Sequence, residues 1–255
     1  MEARTDMANT LNITWLYPDL LNLHGDRGNL MAFEKVGKKM GLDVKINRID
    51  TFAQPIDFEN SDIIFMNAGE LKTVSSIVEN IKKYGNAVYE FVEAGKPLIA
   101  IGTTGAVLID STKRCNGTTV EGLGIIHAEA VERKEIYDDD LHFCLTEDEN
   151  FELMAVQIHL VDFFLKDEKD ALGKLIYGKG NNDTDSTEGG KYKNAIFTNA
   201  LGPVFVKNPW YTERIINEAL KAKGLEPAAP IEDSFFEIER NSFKTIGAFI
   251  KQKTE

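Results

Sequence analysis

The sequence predicts an α/β fold in which a mostly parallel sheet is covered by helices on both faces. Two observations carry this prediction. Short apolar runs of strand length alternate with stretches whose apolar residues recur at helical spacing. The connections between them are short and rich in glycine, asparagine and aspartate, as turns are. Strand–helix–strand alternation of this kind is typical of parallel sheets.

The first elements follow this alternation closely. Residues 12–17 form a β-rich run, and either Asp26 or Asn29 is expected to cap the helix that comes next. Gly41 is expected to end that helix. Its predicted inner face carries Leu30, Phe33, Val36 and Met40.

Two more strands are predicted at residues 44–49 and 63–66, and the second ends in the small loop Asn67-Ala68-Gly69. One long helix is expected after this loop, since apolar residues recur there at helical spacing. The inner stripe of this helix carries Ile77, Ile81, Val88 and Phe91.

The region from about residue 121 to 177 reads as shorter strands, at 123–126, 142–145 and 174–177. Two acidic runs between them, 138–140 and 147–149, are expected to be solvated loops. A polar segment over residues 178–190 is too rich in glycine and asparagine for the interior of an element. Two C-terminal helices are expected, carrying Ile215, Ile216, Ala219 and Leu220 in the first and Phe236, Phe243, Ile246 and Phe249 in the second. A single domain over residues 1–255 is expected.

Composition excludes several functional classes. Acidic residues outnumber basic ones, 41 against 29, and the formal net charge of −12 argues against nucleic-acid binding. The sequence has no apolar run that would span a bilayer and no signal peptide, so a cytoplasmic protein without membrane insertion is expected. Cys115 and Cys144 form neither a CxxC motif nor a disulfide framework. Neither a metal nor a cofactor is expected.

The most informative stretch is residues 98–108, where a buried run breaks at small residues and resumes with helical character. Sharp strand-to-helix corners of this kind hold catalytic nucleophiles at the top of α/β sheets. The corner needs a residue with positive φ, which favours glycine. The corner residue is expected to be Gly102, which has no side chain that could attack a substrate.

Four ordered blocks carry a resemblance to a known family. They are residues 16–29, 62–71, 97–108, and a fourth made of 180–182, 187–189, 192–194, 202–203 and 207–209. Together they resemble the class I glutamine amidotransferases of the cobyric-acid-synthase-like (CobB/CobQ-like) type, in particular the amidotransferase subunits of lipid II isoglutaminyl synthases. The resemblance implies a flavodoxin-like sheet and cleavage of glutamine by a cysteine on the elbow with a histidine from a later loop.

On that pattern, the position of the cysteine falls on Gly102 and that of the histidine on Leu201, directly before Gly202-Pro203. Both reacting side chains are therefore absent. The glycine-rich loop of the family is also altered, because only Gly69 remains and Asn67 carries a side chain there. The stretch 156–160 departs from the family as well.

Candidate residues of a ligand pocket are Asn67, Gly69, Thr103 and Thr104, with Arg133 and Lys134 as approximate counterparts of an arginine that binds the substrate carboxylate. Thr103 or Thr104 would be an alternative nucleophile only if a base accompanied it, and capping of the next helix is the favoured role for both. Cys115 lies beside the basic residues Lys113 and Arg114, but without a visible base it is expected to be an ordinary surface thiol. His142 and Cys144 are expected to pack rather than bind a metal.

These observations favour a catalytically inactive amidotransferase-like subunit. In the family it resembles, such a subunit works with a Mur-ligase-like enzyme that amidates a cell-wall precursor, so a ligase-like protein is the expected partner. Two alternatives stay open. One is an active glutamine amidotransferase or amidase with a rearranged nucleophile, and the other is a sensor that binds a glutamine-like small molecule.

Overall fold

The structure, a computed structural model, describes residues 10–24 and 27–255. The strands of its central sheet are β1 (Thr10–Leu16), β2 (Asp43–Ile49), β3 (Ile63–Met66), β4 (Leu98–Ile101), β11 (Gly190–Tyr192) and β12 (Ala195–Thr198). Their spatial order is β11-β12-β4-β3-β1-β2. All neighbours are parallel except β11, which pairs antiparallel with β12 at one edge. The predicted parallel sheet is thus confirmed.

Helices cover both faces of this sheet. Side chains alternate between the faces along each strand, so Ile63 and Phe65 of β3 join one core while Ile64 and Met66 join the other. The first core is closed by α1 (Gly28–Lys39), α5 (Val204–Lys207) and α6 (Pro209–Ala222). The second is closed by α2 (Val74–Lys82), α3 (Ala87–Glu93) and α4 (Gly105–Leu108).

The single long helix predicted after β3 is wrong, because the structure has two helices, α2 and α3. Between them Gly85 adopts a φ of +59°, which a continuous helix does not contain. The predicted inner stripe is nevertheless buried in both helices, with Ile77, Ile81, Val88 and Phe91 all in the second core. The apolar period therefore located the buried face but not the break.

A second sheet, which the sequence did not predict, is mostly antiparallel. Its strands are β5 (Ile109–Lys113), β6 (Thr119–Glu121), β7 (Ile126–Leu145), β8 (Asp148–Leu165), β9 (Gly173–Tyr177) and β10 (Thr187–Glu188). Their order is β10-β9-β7-β5-β6, with β8 paired to β7. Only β5 and β7 are parallel within the described part of this sheet.

The long hairpin of β7 and β8 corrects two predictions. Residues 123–125 precede β7 instead of forming a strand, and the acidic run 138–140 lies inside β7 and not in a loop. The run tolerates a strand because Asp139 accepts hydrogen bonds from Tyr177 (2.9 Å) and Lys253 (2.5 Å). In the second acidic run only Glu147 lies in the turn, because Asp148 and Glu149 belong to β8, so the predicted loop is wrong for those two residues.

The last helix, α7 (Glu237–Thr254), packs on this hairpin. Phe243 is in edge contact with the rings of His142 and Trp210, with centroids 5.5 and 5.8 Å apart. Both predicted C-terminal helices are confirmed, as α6 and α7. Within residues 10–24 and 27–255, none of the helices has the length and hydropathy needed to cross a bilayer.

Candidate functional site

The elbow lies where β4 ends, at the carboxyl edge of the central sheet. Gly102 follows Ile101 with a φ of +59°, and a short 3-10 turn over Gly102–Thr104 leads into α4. A residue with a side chain is strained in this left-handed conformation. The sharp corner predicted from the sequence is therefore present at Gly102.

Leu201 faces this corner. A methyl group built on Gly102 would lie 3.3 Å from Leu201 Cδ2 and 3.3 Å from the Cβ of Ala68. Leu201 is only 2% exposed, and its backbone is fixed by a β-bridge to Val156, with N–O distances of 2.8 and 3.3 Å. The structure thus brings together the two positions at which the family resemblance expects a thiol and an imidazole. Neither position carries a reacting group.

The loop after β3 forms the neighbouring wall. Asn67 is fully buried, and neither its amide oxygen nor its amide nitrogen has a hydrogen-bond partner among the described residues. Gly69 packs so closely on Leu21 that a Cβ there would come within 2.3 Å of Leu21 Cδ2. A side chain at position 69 would therefore force the buried Leu21 side chain to move.

The hydroxyls next to the corner are both engaged with backbone groups. The Thr103 hydroxyl donates to the carbonyl of Gly69 and accepts from the amide N–H of Gly69 at 3.3 Å. The Thr104 hydroxyl donates to the carbonyl of Ile101 at 2.8 Å and is buried. The prediction that they cap the next helix is wrong, because Thr104 occupies the N-cap position of α4 without a side-chain bond to it. Instead, the Thr104 hydroxyl links the elbow to β4, and the Thr103 hydroxyl links it to the loop after β3.

Arg133 and Lys134 lie in an irregular stretch of β7. The Arg133 guanidinium donates to both carboxylate oxygens of Asp162, at 2.8 and 3.0 Å, and to Asp183 at 3.2 Å. Two carboxylates therefore already balance its charge. Lys134 is exposed.

The stretch 156–160, which departs from the family, contains a buried histidine. His159 Nε2 lies 2.6 Å from an oxygen of Asp162, and Nδ1 lies 2.8 Å from the side-chain nitrogen of Gln157. Burial lowers the pKa of this imidazole below its usual value, against the opposing pull of Asp162. Because both ring nitrogens are occupied, His159 has no free nitrogen with which to activate a nucleophile.

The first and fourth blocks meet at the start of α1. A Cβ on Gly28 would lie 2.7 Å from Pro203 Cγ, and the Asn29 side chain accepts a hydrogen bond from the amide of Phe205 at 3.0 Å. Asn29 thus binds α5 and does not cap α1, and the alternative cap, Asp26, lies outside the described residues. This contact joins residues 176 positions apart and fixes the segment that carries Leu201.

A buried polar cluster, which the sequence did not reveal, holds the segment 178–190 against β12. Glu188 is fully buried and accepts hydrogen bonds from the Thr198 hydroxyl (2.6 Å) and from the backbone and side chain of Asn199 (2.9 and 3.0 Å). Burial raises the pKa of the Glu188 carboxyl above its usual range. Asn181 donates to Thr187 and accepts from Asn199. The asparagine-rich composition of the segment was the available signal.

The remaining candidates, Cys115, His142 and Cys144, each have contacts of their own. Cys115 is exposed, and its thiol donates to the Glu132 carbonyl at 3.3 Å. His142 binds Glu152 at 2.8 Å, while Cys144 is buried. Over residues 10–24 and 27–255 no group of three or more histidine, cysteine or acidic side chains is placed to hold a metal ion.

Comparison with known proteins adds two relatives of high coverage. The chain is 27% identical over 227 residues to the lipid II isoglutaminyl synthase (glutamine-hydrolyzing) subunit GatD of Streptococcus pneumoniae, covering 84% of this chain and 82% of that protein. It is 29% identical over 227 residues to the subunit of the same name from Staphylococcus aureus, covering 87% and 89%. No family model matches the sequence.

Solved structures agree on the fold. A glutamine amidotransferase crystal structure superposes with a TM-score of 0.53 at 16% identity, covering 81% of this chain and 98% of the other. The structure of PurLQS from Thermotoga maritima also gives 0.53, at 11% identity, covering 84% and 96%. The chain therefore has the glutamine amidotransferase class I fold, and its resemblance to the amidotransferase subunits of lipid II isoglutaminyl synthases is confirmed.

Proposed function

We propose that this chain is an amidotransferase-like subunit that does not hydrolyse glutamine and that acts as the partner of a Mur-ligase-like enzyme in cell-wall precursor amidation. The observation that carries the proposal is the pairing of Gly102 with Leu201 at the elbow, where a Cβ built on Gly102 would lie 3.3 Å from Leu201 Cδ2. Attack on a carboxamide needs an activated nucleophile together with a base. This pairing offers a hydrogen atom and an isobutyl group instead.

Among the described residues around the elbow, none replaces the missing nucleophile and base. A threonine needs a base to become nucleophilic, and the hydroxyls of Thr103 and Thr104 each donate to a backbone carbonyl. His159, buried in β8, has both ring nitrogens occupied. The neighbours of a Cβ built at the corner are also apolar, since Leu201 Cδ2 and Ala68 Cβ would each lie 3.3 Å from it.

The role of partner is supported by the two curated relatives, which are named as subunits of a lipid II isoglutaminyl synthase. We propose that glutamine hydrolysis is lost in this chain and not in those two relatives, since their names carry the description "glutamine-hydrolyzing". The function left to the chain is then to hold or regulate the ligase.

Ammonia release from glutamine tests the inactivity. The chain is purified from its native host with whatever accompanies it, and a fraction depleted of the chain is the control. We expect no ammonia release that depends on this chain. We also expect a ligase-like protein in the same fraction. Release that requires the chain would refute the proposed inactivity and return Thr103, Thr104 and Cys115 to consideration.

One observation favours a second candidate, a sensor of a small amide or amino acid. Asn67 is fully buried beside the elbow, and both polar atoms of its amide are unpaired among the described residues. Such a group costs free energy unless something binds it. Thermal-shift measurements with glutamine, asparagine and glutamate test this candidate, with Asn67→Leu as the control variant. No stabilisation by any of the three would reject it.

A further inference from the structure

The outer face of the β7–β8 hairpin carries a groove of about 690 Å³ that the proposed function does not explain. We call it the hairpin groove and define it by Ile136, Asp138 and Asp140 of β7 and Val156 and Ile158 of β8. The strand register places Asp138 opposite Ile158 and Asp140 opposite Val156. These side chains therefore share one face, while the opposite face carries the buried Gln157 and His159.

The groove exposes apolar surface. The side chain of Ile136 is 64% exposed and that of Ile158 is 37% exposed, on opposite strands of the hairpin. A single exposed isoleucine needs no explanation, but two that line one concave surface indicate a site of contact.

The groove is also acidic. Asp138 and Asp140 stand two residues apart on one strand, which is about 7 Å, and neither side chain has an ion pair or hydrogen bond within the described ranges. The lysine that lines the groove, Lys253, is bound to Asp139 at 2.5 Å and does not neutralise them. The site thus offers two free negative charges beside two apolar side chains.

The groove borders the elbow. Val156 forms the β-bridge to Leu201, and Leu201 packs over Gly102. A protein segment bound in the groove would therefore lie one strand away from the position where the family carries its catalytic histidine.

We propose that the hairpin groove binds a basic segment of the ligase-like partner, with an apolar side chain between Ile136 and Ile158 and lysine or arginine side chains on Asp138 and Asp140. The proposal rests on the proposed function, which supplies the partner. Charge complementarity selects this occupant, because a second copy of a chain of net charge −12 would be repelled, and so would a nucleic acid.

The test measures binding of the purified Mur-ligase-like subunit of the same organism to the full chain. The variant Asp138→Lys/Asp140→Lys reverses both free charges. We expect its affinity to fall by about tenfold or more, mainly through slower association, as for the loss of close charge pairs at an interface. The salt dependence of binding should weaken with it, because the screened attraction is gone.

The matched control is Glu79→Lys/Glu90→Lys, which makes the same change in net charge at exposed positions on α2 and α3. A second variant, Ile136→Ser, should weaken binding without altering its salt dependence. If the wild-type chain binds and both groove variants bind equally well, the groove proposal is overturned and the proposed function stands. If the groove and control variants lose affinity equally, the effect is one of net charge, and the groove proposal again fails. Absence of any binding by the wild-type chain overturns both.

Discussion

Replacement of Gly102 by alanine tests the geometry on which the proposed inactivity is argued. The residue has a φ of +59°, and the left-handed conformation costs a residue with a Cβ about 1–2 kcal/mol. The new methyl group would also lie 3.3 Å from both Ala68 Cβ and Leu201 Cδ2, closer than an ordinary carbon–carbon contact. Crowding of this kind costs about 1–3 kcal/mol. The expected loss of stability is therefore about 2–5 kcal/mol.

Gly85 provides a matched control within the same chain. Its φ is also +59°, and a Cβ built on it meets nothing within 4 Å. Gly85→Ala should therefore cost only the backbone term of about 1–2 kcal/mol. The difference between the two variants isolates the contact with Ala68 and Leu201.

A double-mutant cycle assigns that difference to Leu201. Leu201→Ala alone should cost about 2–5 kcal/mol, as for a buried leucine. In the double variant with Gly102→Ala, the loss should be smaller than the sum by at least about 0.5 kcal/mol, because the crowded partner is gone. Urea denaturation of all variants measures each term. Equal losses for Gly102→Ala and Gly85→Ala, with an additive cycle, would mean that positions 102 and 201 do not face each other, and the assignment of the site would be refuted.

Three further predictions follow from other contacts. Gly102→Cys/Leu201→His should place a thiol beside an imidazole, so iodoacetamide should modify the introduced thiol faster at neutral pH than it does in Gly102→Cys alone; equal rates would contradict the assignment of Leu201. Asn29→Ala leaves the buried amide of Phe205 unpaired and should cost about 1–3 kcal/mol in urea denaturation, whereas Met31→Ala, at a 67% exposed position, should change stability by less than about 0.5 kcal/mol. Burial lowers the pKa of His159, so the folded protein favours the neutral imidazole. The contribution of His159 to stability is therefore fully present above pH 6.5, the ordinary pKa of the imidazole, and declines as the pH falls below that value. His159→Gln should flatten the pH dependence of stability below pH 6.5, the ordinary pKa of the imidazole, and an unchanged slope would show that another group causes it.

Strands β3 and β4 of the central sheet were predictable because they are buried on both faces, and continuous apolar runs such as residues 63–66 need no partner to be recognised. Strand β2 is half exposed, and β11 and β12 were not predicted. The hairpin was not predictable in the same way. Its strands are half exposed and polar, and Tyr177 and Lys253 reach Asp139 of the acidic run 138–140 from elsewhere in the chain. A single sequence shows the charges but not the distant groups that balance them.

In the site, too, features set by local residues were predictable and contacts between distant residues were not. The elbow was readable from local residues, since a glycine between a buried run and a helical one predicts a positive φ. The contact between Gly102 and Leu201 came only from the family resemblance, because nothing local links two positions so far apart in the sequence. The cluster around Glu188 was missed, since a glutamate in a polar segment is normally exposed and only its bonds to Thr198 and Asn199 permit burial. The assignment of residues 1–255 to a single domain remains a prediction.

The contact between the first and fourth blocks bears on how the proposed inactivity is to be understood. Gly28 is required by the approach of Pro203, and Asn29 by the amide of Phe205, so both residues hold the segment that presents Leu201. These requirements are structural and hold whether position 201 carries a leucine or a histidine. Family-like residues in the first block are therefore no evidence for glutamine hydrolysis. In the proposed function the chemistry is decided by the pair at the elbow, where neither Gly102 nor Leu201 carries a reacting group.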